Sequence, residues 1–137
     1  MPELDYMVLA DYVRIDNGIA HIIGANFDTI YASQLPSART VHAALRFVAS
    51  RDDVPGASHA LQLIISSEDR QIGSLTGTVV IPDRSPGTPV HWRTGLFIDM
   101  QIPLLMTTYG DYAIDLVLNG EQLKSVDLRV VPGRPEV

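Results

Sequence analysis

The chain has 137 residues, 46% hydrophobic and 19% charged, which suits one globular domain over residues 1–137 and excludes a disordered chain. Sixteen acidic against ten basic residues give a net charge of −6, so a phosphate backbone would be repelled and nucleic-acid binding is not expected. Cysteine is absent, which removes disulfides, thiolate nucleophiles and thiolate zinc sites, and no apolar run nears the ~18–20 residues of a membrane span. The opening Met1-Pro2-Glu3-Leu4-Asp5 has neither the basic nor the apolar region of a secretory signal, so a cytoplasmic location is expected.

Short alternating runs cut by turn residues predict eight strands, at residues 6–15, 19–31, 40–49, 58–66, 75–81, 90–102, 111–118 and 121–131. No helical stripe persists, although residues 33–38 could hold a single helical turn, and the first few residues and residues 133–137 are expected to fray. Alternation puts Val41, Ala43, Leu45 and Phe47 on one face of the third strand and His42 and Arg46 on the other. In the sixth, Trp92, Leu96, Ile98, Met100 and Ile102 line up opposite His91, Arg93, Asp99 and Gln101. One wet and one dry face per strand predicts an all-β fold, an antiparallel two-sheet sandwich with an immunoglobulin-like or C2-like Greek key.

Two Asn-Gly turns set hairpin registers. Asn17-Gly18 pairs Ile15 with Ala20, Arg14 with His21 and Val13 with Ile22; Asn119-Gly120 pairs Leu116 with Leu123 and Asp115 with Lys124. Beyond that point Val126, Leu128 and Val130 have the wrong parity, so a bulge is predicted near Lys124-Ser125. The first hairpin is apolar on both sides, so either it is covered on both faces or it bulges near Gly24, and of the two the bulge is expected.

The stretch Leu9-Ala10-Asp11-Tyr12, Asp16-Asn17-Gly18, Ile22-Ile23-Gly24-Ala25, Phe27-Asp28-Thr29-Ile30 and Leu35-Pro36, with the later Tyr109-Gly110-Asp111-Tyr112-Ala113 and Asn119-Gly120, resembles a family of small bacterial proteins known only as a domain of unknown function. The resemblance covers most of the chain and is most specific over residues 9–36. Ile19-Ala20 departs from a common Lys-Leu pair, and Asn26 is an extra residue before Phe27, which fits a local bulge. The resemblance implies an immunoglobulin-like or C2-like sandwich and carries no activity, cofactor or catalytic residue.

The chemistry-bearing residues form no motif. His21, His42, His59 and His91 fall on different strands without metal-ligand spacing, and read as surface or rim residues. If loops alternate between two ends, residues 16–18, 50–57, 82–89 and 119–120 share one end and gather Asp16, Asp52, Asp53, Asp83 and Glu121. Calcium would suit such a cluster, but Arg51 and Arg84 interrupt it and Asp-x-Asp ladders are missing, so solvated turns are the better account. Ser66-Ser67-Glu68-Asp69 lacks a nucleophile elbow. Gly73-Ser74-Leu75-Thr76-Gly77 lacks the lysine and helix of a phosphate loop. No catalytic, metal or cofactor-binding residue is assigned, and neither a cofactor nor an enzyme is expected. Charges on the last three strands alternate in sign and suit weak cross-strand pairs.

Apolar residues in loops point elsewhere. Phe97 faces outward, Pro103-Leu104-Leu105-Met106 follows the sixth strand, and Ile30, Tyr31 and Leu35 follow the second at the same end of the sandwich. They could cap the core, or form a contact patch. We expect a non-catalytic protein-interaction or assembly module, binding a protein partner or itself as a homo-oligomer, with Leu35, Phe97, Leu104, Leu105 and Met106 at the interface. The alternatives are a small-ligand or carbohydrate-binding sandwich using Tyr31, Trp92 and Tyr109, and a phage or particle structural component.

Overall fold

A computed structural model describes residues 1–134 of the chain. Nine strands form among them: β1 (Glu3–Asp16), β2 (Ile19–Ala25), β3 (Thr29–Ala32), β4 (Ser37–Ala49), β5 (Ser58–Ser67), β6 (Arg70–Val80), β7 (Thr94–Met106), β8 (Gly110–Leu118) and β9 (Glu121–Pro132). One sheet has the order β2-β1-β4-β7, the other β3-β9-β8-β5-β6. Their inner faces enclose one core in which Met7, Leu9, Leu45, Phe47 and Ile102 meet Leu61, Leu63, Ile114, Leu116 and Val130. The fold is all-β and sandwich-like, as the alternation requires. The expected fraying of residues 133–137 falls partly on 135–137, outside the described residues. The first few residues do not fray: β1 begins at Glu3, Pro2 is buried and the Met1 ammonium pairs with Asp53.

The chain reversals define two poles. At the Asn119 pole, the Asn119 N–H donates to the Ala60 carbonyl (2.8 Å) and the Gly56 N–H to the Ile81 carbonyl (2.8 Å). At the Tyr109 pole, the Tyr109 hydroxyl donates to the Ala32 carbonyl (2.9 Å), Ser37 pairs with Met106 and Ser67 with Tyr112. Tyr31 and Leu105 therefore lie at the same pole, as expected.

The first hairpin has the predicted register, with Ile15 opposite Ala20, Arg14 opposite His21 and Val13 opposite Ile22. It does not bulge at Gly24: the ladder passes from Tyr12–Ile23 to Ala10–Ala25 without a shift. Instead β1 shifts against β4 between Leu4 and Tyr6. On its second side Val8 and Ala10 join a small buried cluster with Ala44, Val13 and Ile22, while Tyr12 stays exposed.

The predicted second strand is two. Asn26, with φ 64°, donates its N–H to the Leu9 carbonyl (2.7 Å) and ends the hairpin. After Phe27-Asp28 the chain enters the other sheet as β3, parallel to β9, with Ile30 opposite Val130. Because β2 doubles back and β3 runs forward again, loop alternation fails at the start. The Asp16–Gly18 turn follows β1 away from the Glu3–Val48 pairing and so lies at the Tyr109 pole, apart from Asp52, Asp53, Asp83 and Glu121.

Three further boundaries differ. Residues 33–36 bend without a helical turn, and β4 begins at Ser37. The predicted loop over residues 67–74 is a tight turn at Glu68-Asp69, with φ 52° and 62°, so β6 starts at Arg70 and the glycine-bearing run lies within it. β7 begins at Thr94 rather than residue 90 and runs on to Met106. The β8–β9 bulge exists but falls at Leu123: Val117 pairs with Gln122 and Leu116 with Lys124, in place of the expected Leu116–Leu123 and Asp115–Lys124 pairs. Asp115 then meets Ser125, and Val126 and Leu128 return to the inner face opposite Ile114 and Tyr112.

Candidate interaction surface

The five residues expected at an interface do not form one patch. Leu104 and Met106 are 2% and 1% exposed and belong to the core, so neither is available to a partner in the folded monomer. The reason is simple alternation: Ile102, Leu104 and Met106 continue the inner face of β7 past Pro103, which pairs with Thr40 on a strand whose other side is free. Proline is tolerated on such an edge because its missing N–H faces no neighbouring strand. Leu105, between the two core residues, is 56% exposed. Leu35 is half-buried against the core, and Phe97 is half-buried on the outer face, 5.7 Å below the Arg46 guanidinium. Arg46 in turn reaches Asp5 at 2.6 Å.

Leu105 instead has neighbours from the other sheet. β7 and β6 are edge strands of facing sheets. Between them, toward the Tyr109 pole, lies a groove of about 230 Å³, lined by Ile72, Leu75, Ile102, Leu104 and Leu105, among others. Ile72 is 45% exposed at its rim. Ile72 is the extra residue of a bulge, since Ile65 pairs with Gly73 while Ser66 pairs with Gln71.

The four sheet edges differ in how they are protected against stray pairing, which natural sheets avoid with short strands, proline and charge. β3 has four residues, and β2 has seven with Gly24 at φ 65°. β7 carries Asp99 and Pro103. β6 has neither proline nor any charge from residue 71 to residue 80. The sequence signal for this surface is that uncharged run, which a loop assignment over residues 67–74 conceals.

Other polar groups are accounted for structurally. His42 is turned to the outer face, as its parity requires, yet is only 8% exposed. Its Nδ1 lies 2.9 Å from Asp99 Oδ1, and the Tyr12 ring packs 6.0 Å from its own. Near the hairpin, Arg39 pairs with Asp11 and stacks 5.1 Å from Phe27. His59 contacts the Asn119 amide at 2.8 Å, while His21 and His91 are exposed. Asp53 is buried: its carboxylate accepts from the Met1 ammonium (2.8 Å) and the Ser50 N–H (2.8 Å). Burial alone would raise this carboxyl, but those hydrogen bonds and the ammonium charge together hold it below the usual range. Among the described residues no group of three or more His, Asp or Glu is placed to hold a metal ion.

The three aromatics of a possible ligand site are split between the poles. Tyr31 and Tyr109 are near the Ala32 carbonyl, whereas Trp92 lies in the loop before β7, at the Asn119 pole, its carbonyl bound by Arg84 at 2.8 Å. No helix of the described residues is long and apolar enough to cross a membrane. A comparison with curated proteins finds no match to the chain. A family model does match, over residues 5–131 and thus over both sheets and the groove between their edges, and the chain belongs to that family, described as a family of unknown function (DUF6941).

Proposed function

We propose that this domain is a non-catalytic assembly module that acts by self-association, with the flank between β6 and β7 as its contact surface. The observation behind this is the long, unpaired β6 edge, uncharged from residue 71 to residue 80, with exposed Ile72 on it and exposed Leu105 nearby. Each large apolar side chain removed from water is worth up to ~1.5–3 kcal/mol, against the several kcal/mol that association costs. A few such residues plus backbone pairing suit a concentration-dependent dimer. Light scattering across a dilution series is expected to give a mass above 15.0 kDa that falls toward it on dilution. Leu105→Asp is expected to keep the circular dichroism spectrum and shift the series toward monomer. A mass of 15.0 kDa at every concentration would remove the self-association reading.

The small-ligand or carbohydrate reading has less behind it, since Trp92 is remote from Tyr31 and Tyr109. A place in a larger particle would require a second contact surface as well as this one.

We also infer that the strand order is an immunoglobulin-like Greek key rather than a C2-like one. Support comes from the chain crossing between sheets after β4, β6 and β7, and from the parallel pairing of β3 with β9. A further sign is Tyr112, buried at the start of β8, whose hydroxyl donates to the Thr108 carbonyl at 2.7 Å. A tyrosine bonded back across this corner is a habit of immunoglobulin-like sandwiches.

A further inference from the structure

We propose that the occupant of the β6 edge is a second copy of β6, paired antiparallel about a two-fold axis at Gly77, so that two five-stranded sheets join into one. This rests on the self-association reading and gives it a register. A two-fold perpendicular to a sheet keeps inner faces inner, so paired residues must share parity. With Gly77 opposite itself, Thr76 meets Thr78, Leu75 meets Val79, Ser74 meets Val80 and Gly73 meets Ile81. Ile81 still follows the strand, its N–H donating to the Ala57 carbonyl (3.0 Å) and its carbonyl accepting from the Gly56 N–H (2.8 Å).

The choice of a second copy comes from the charges at the two ends of the uncharged run. Asp69-Arg70 precedes it and Asp83-Arg84 follows it, acidic then basic in both places. Reversing one copy against another therefore sets unlike charges together. The bulge at Ile72 adds one residue to the near end, and with it Arg70 of one copy comes opposite Asp83 of the other, and Asp69 opposite Arg84. Sliding the copies by two residues either way, the smallest step that preserves the faces, removes both matches. Arg70 and Asp83 are exposed, and among the described residues neither takes part in an ion pair within the chain. Arg84 is held by the carbonyls of Pro89, Val90 and Trp92, so Arg70 and Asp83 form the pair to test. The same register brings the exposed Val80 of one copy toward the exposed Ile72 of the other, at the rim of the groove.

The test uses the full chain. Arg70→Asp alone sets two acidic groups together at both ends of the dimer, and Asp83→Arg alone sets two basic groups together. Each is expected to weaken self-association about tenfold. An equimolar mixture of the two variants is expected to associate about as tightly as the wild type, because each mixed dimer regains both unlike pairs. The absence of native cysteine allows a second measurement. A chain carrying both Thr76→Cys and Thr78→Cys is expected to cross-link into a covalent dimer under mild oxidation, since opposed strand residues lie ~4.5–5.5 Å apart and disulfides span ~4.4–6.8 Å. Neither single cysteine variant should match its yield. If both charge variants associate like the wild type and the double cysteine chain stays uncross-linked, this register is overturned while self-association stands. If the wild type is monomeric at every concentration, both fall.

Discussion

Asp53 and His42 are polar side chains that the alternation pattern places in water and the folded chain does not. Asp53 sits in a turn, where an acidic residue ordinarily stays solvated, but the start of β1 brings the Met1 ammonium onto it. His42 lies on the outward side of β4, where Tyr12 of β1 packs against the imidazole and Asp99 of β7 reaches its Nδ1. These contacts join residues far apart in the chain, which a local pattern cannot register. Asp53 has a testable consequence. Its carboxyl titrates below its unfolded value of 3.8, so its contribution is fully present above that pH and is lost as pH falls through the folded value. Asp53→Asn is expected to cost about 1–3 kcal/mol near neutral pH. In urea titrations the gap between variant and wild type should narrow toward pH 3; an equal gap at both pH values would show that the ion pair contributes nothing.

At the scale of elements, the hairpin turns were the most legible feature. Asn17-Gly18 and Asn119-Gly120 set registers that hold for the first residues of each pair, because positive φ at both central positions leaves few alternatives. The need for a bulge in β9 could be read from parity alone, but not its position, since Leu123 and Lys124 both oppose Leu116 and either could be the extra residue. Leu123 is the one that packs against the core. Deleting Leu123 should therefore leave Val126, Leu128 and Val130 in place, at roughly half the ~1.5–3 kcal/mol of a fully buried leucine. Deleting Asp127 instead turns Leu128 and Val130 outward and should give the larger loss. Thermal melts of the two deletions check this, and a reversed order would refute the assigned register. Pro103 misled in the opposite direction: read as a loop signal, it hid two core residues and left Leu105 as the one exposed member of its run.

For the whole molecule, the sandwich class followed from alternation, while the allocation of strands to sheets did not. No local signal says that the chain changes sheets at Asn26–Asp28, or that β6 and β7 end up as facing edges. The candidate surface was legible only through Leu105, because an edge is defined by a strand that is not there. Pairings that span most of the chain also predict slow folding. Refolding from urea, followed by circular dichroism, should take milliseconds to seconds; complete recovery within microseconds would contradict this topology. The parallel join of β3 to β9 matters most while the protein is being made. Ile30 leaves the ribosome about a hundred residues ahead of Val130, its neighbour in the finished sheet. At ~5–20 residues per second, that early strand waits ~5–20 s for the last one, with its own apolar side chain and the bare β6 edge both open to nascent neighbours or to a chaperone.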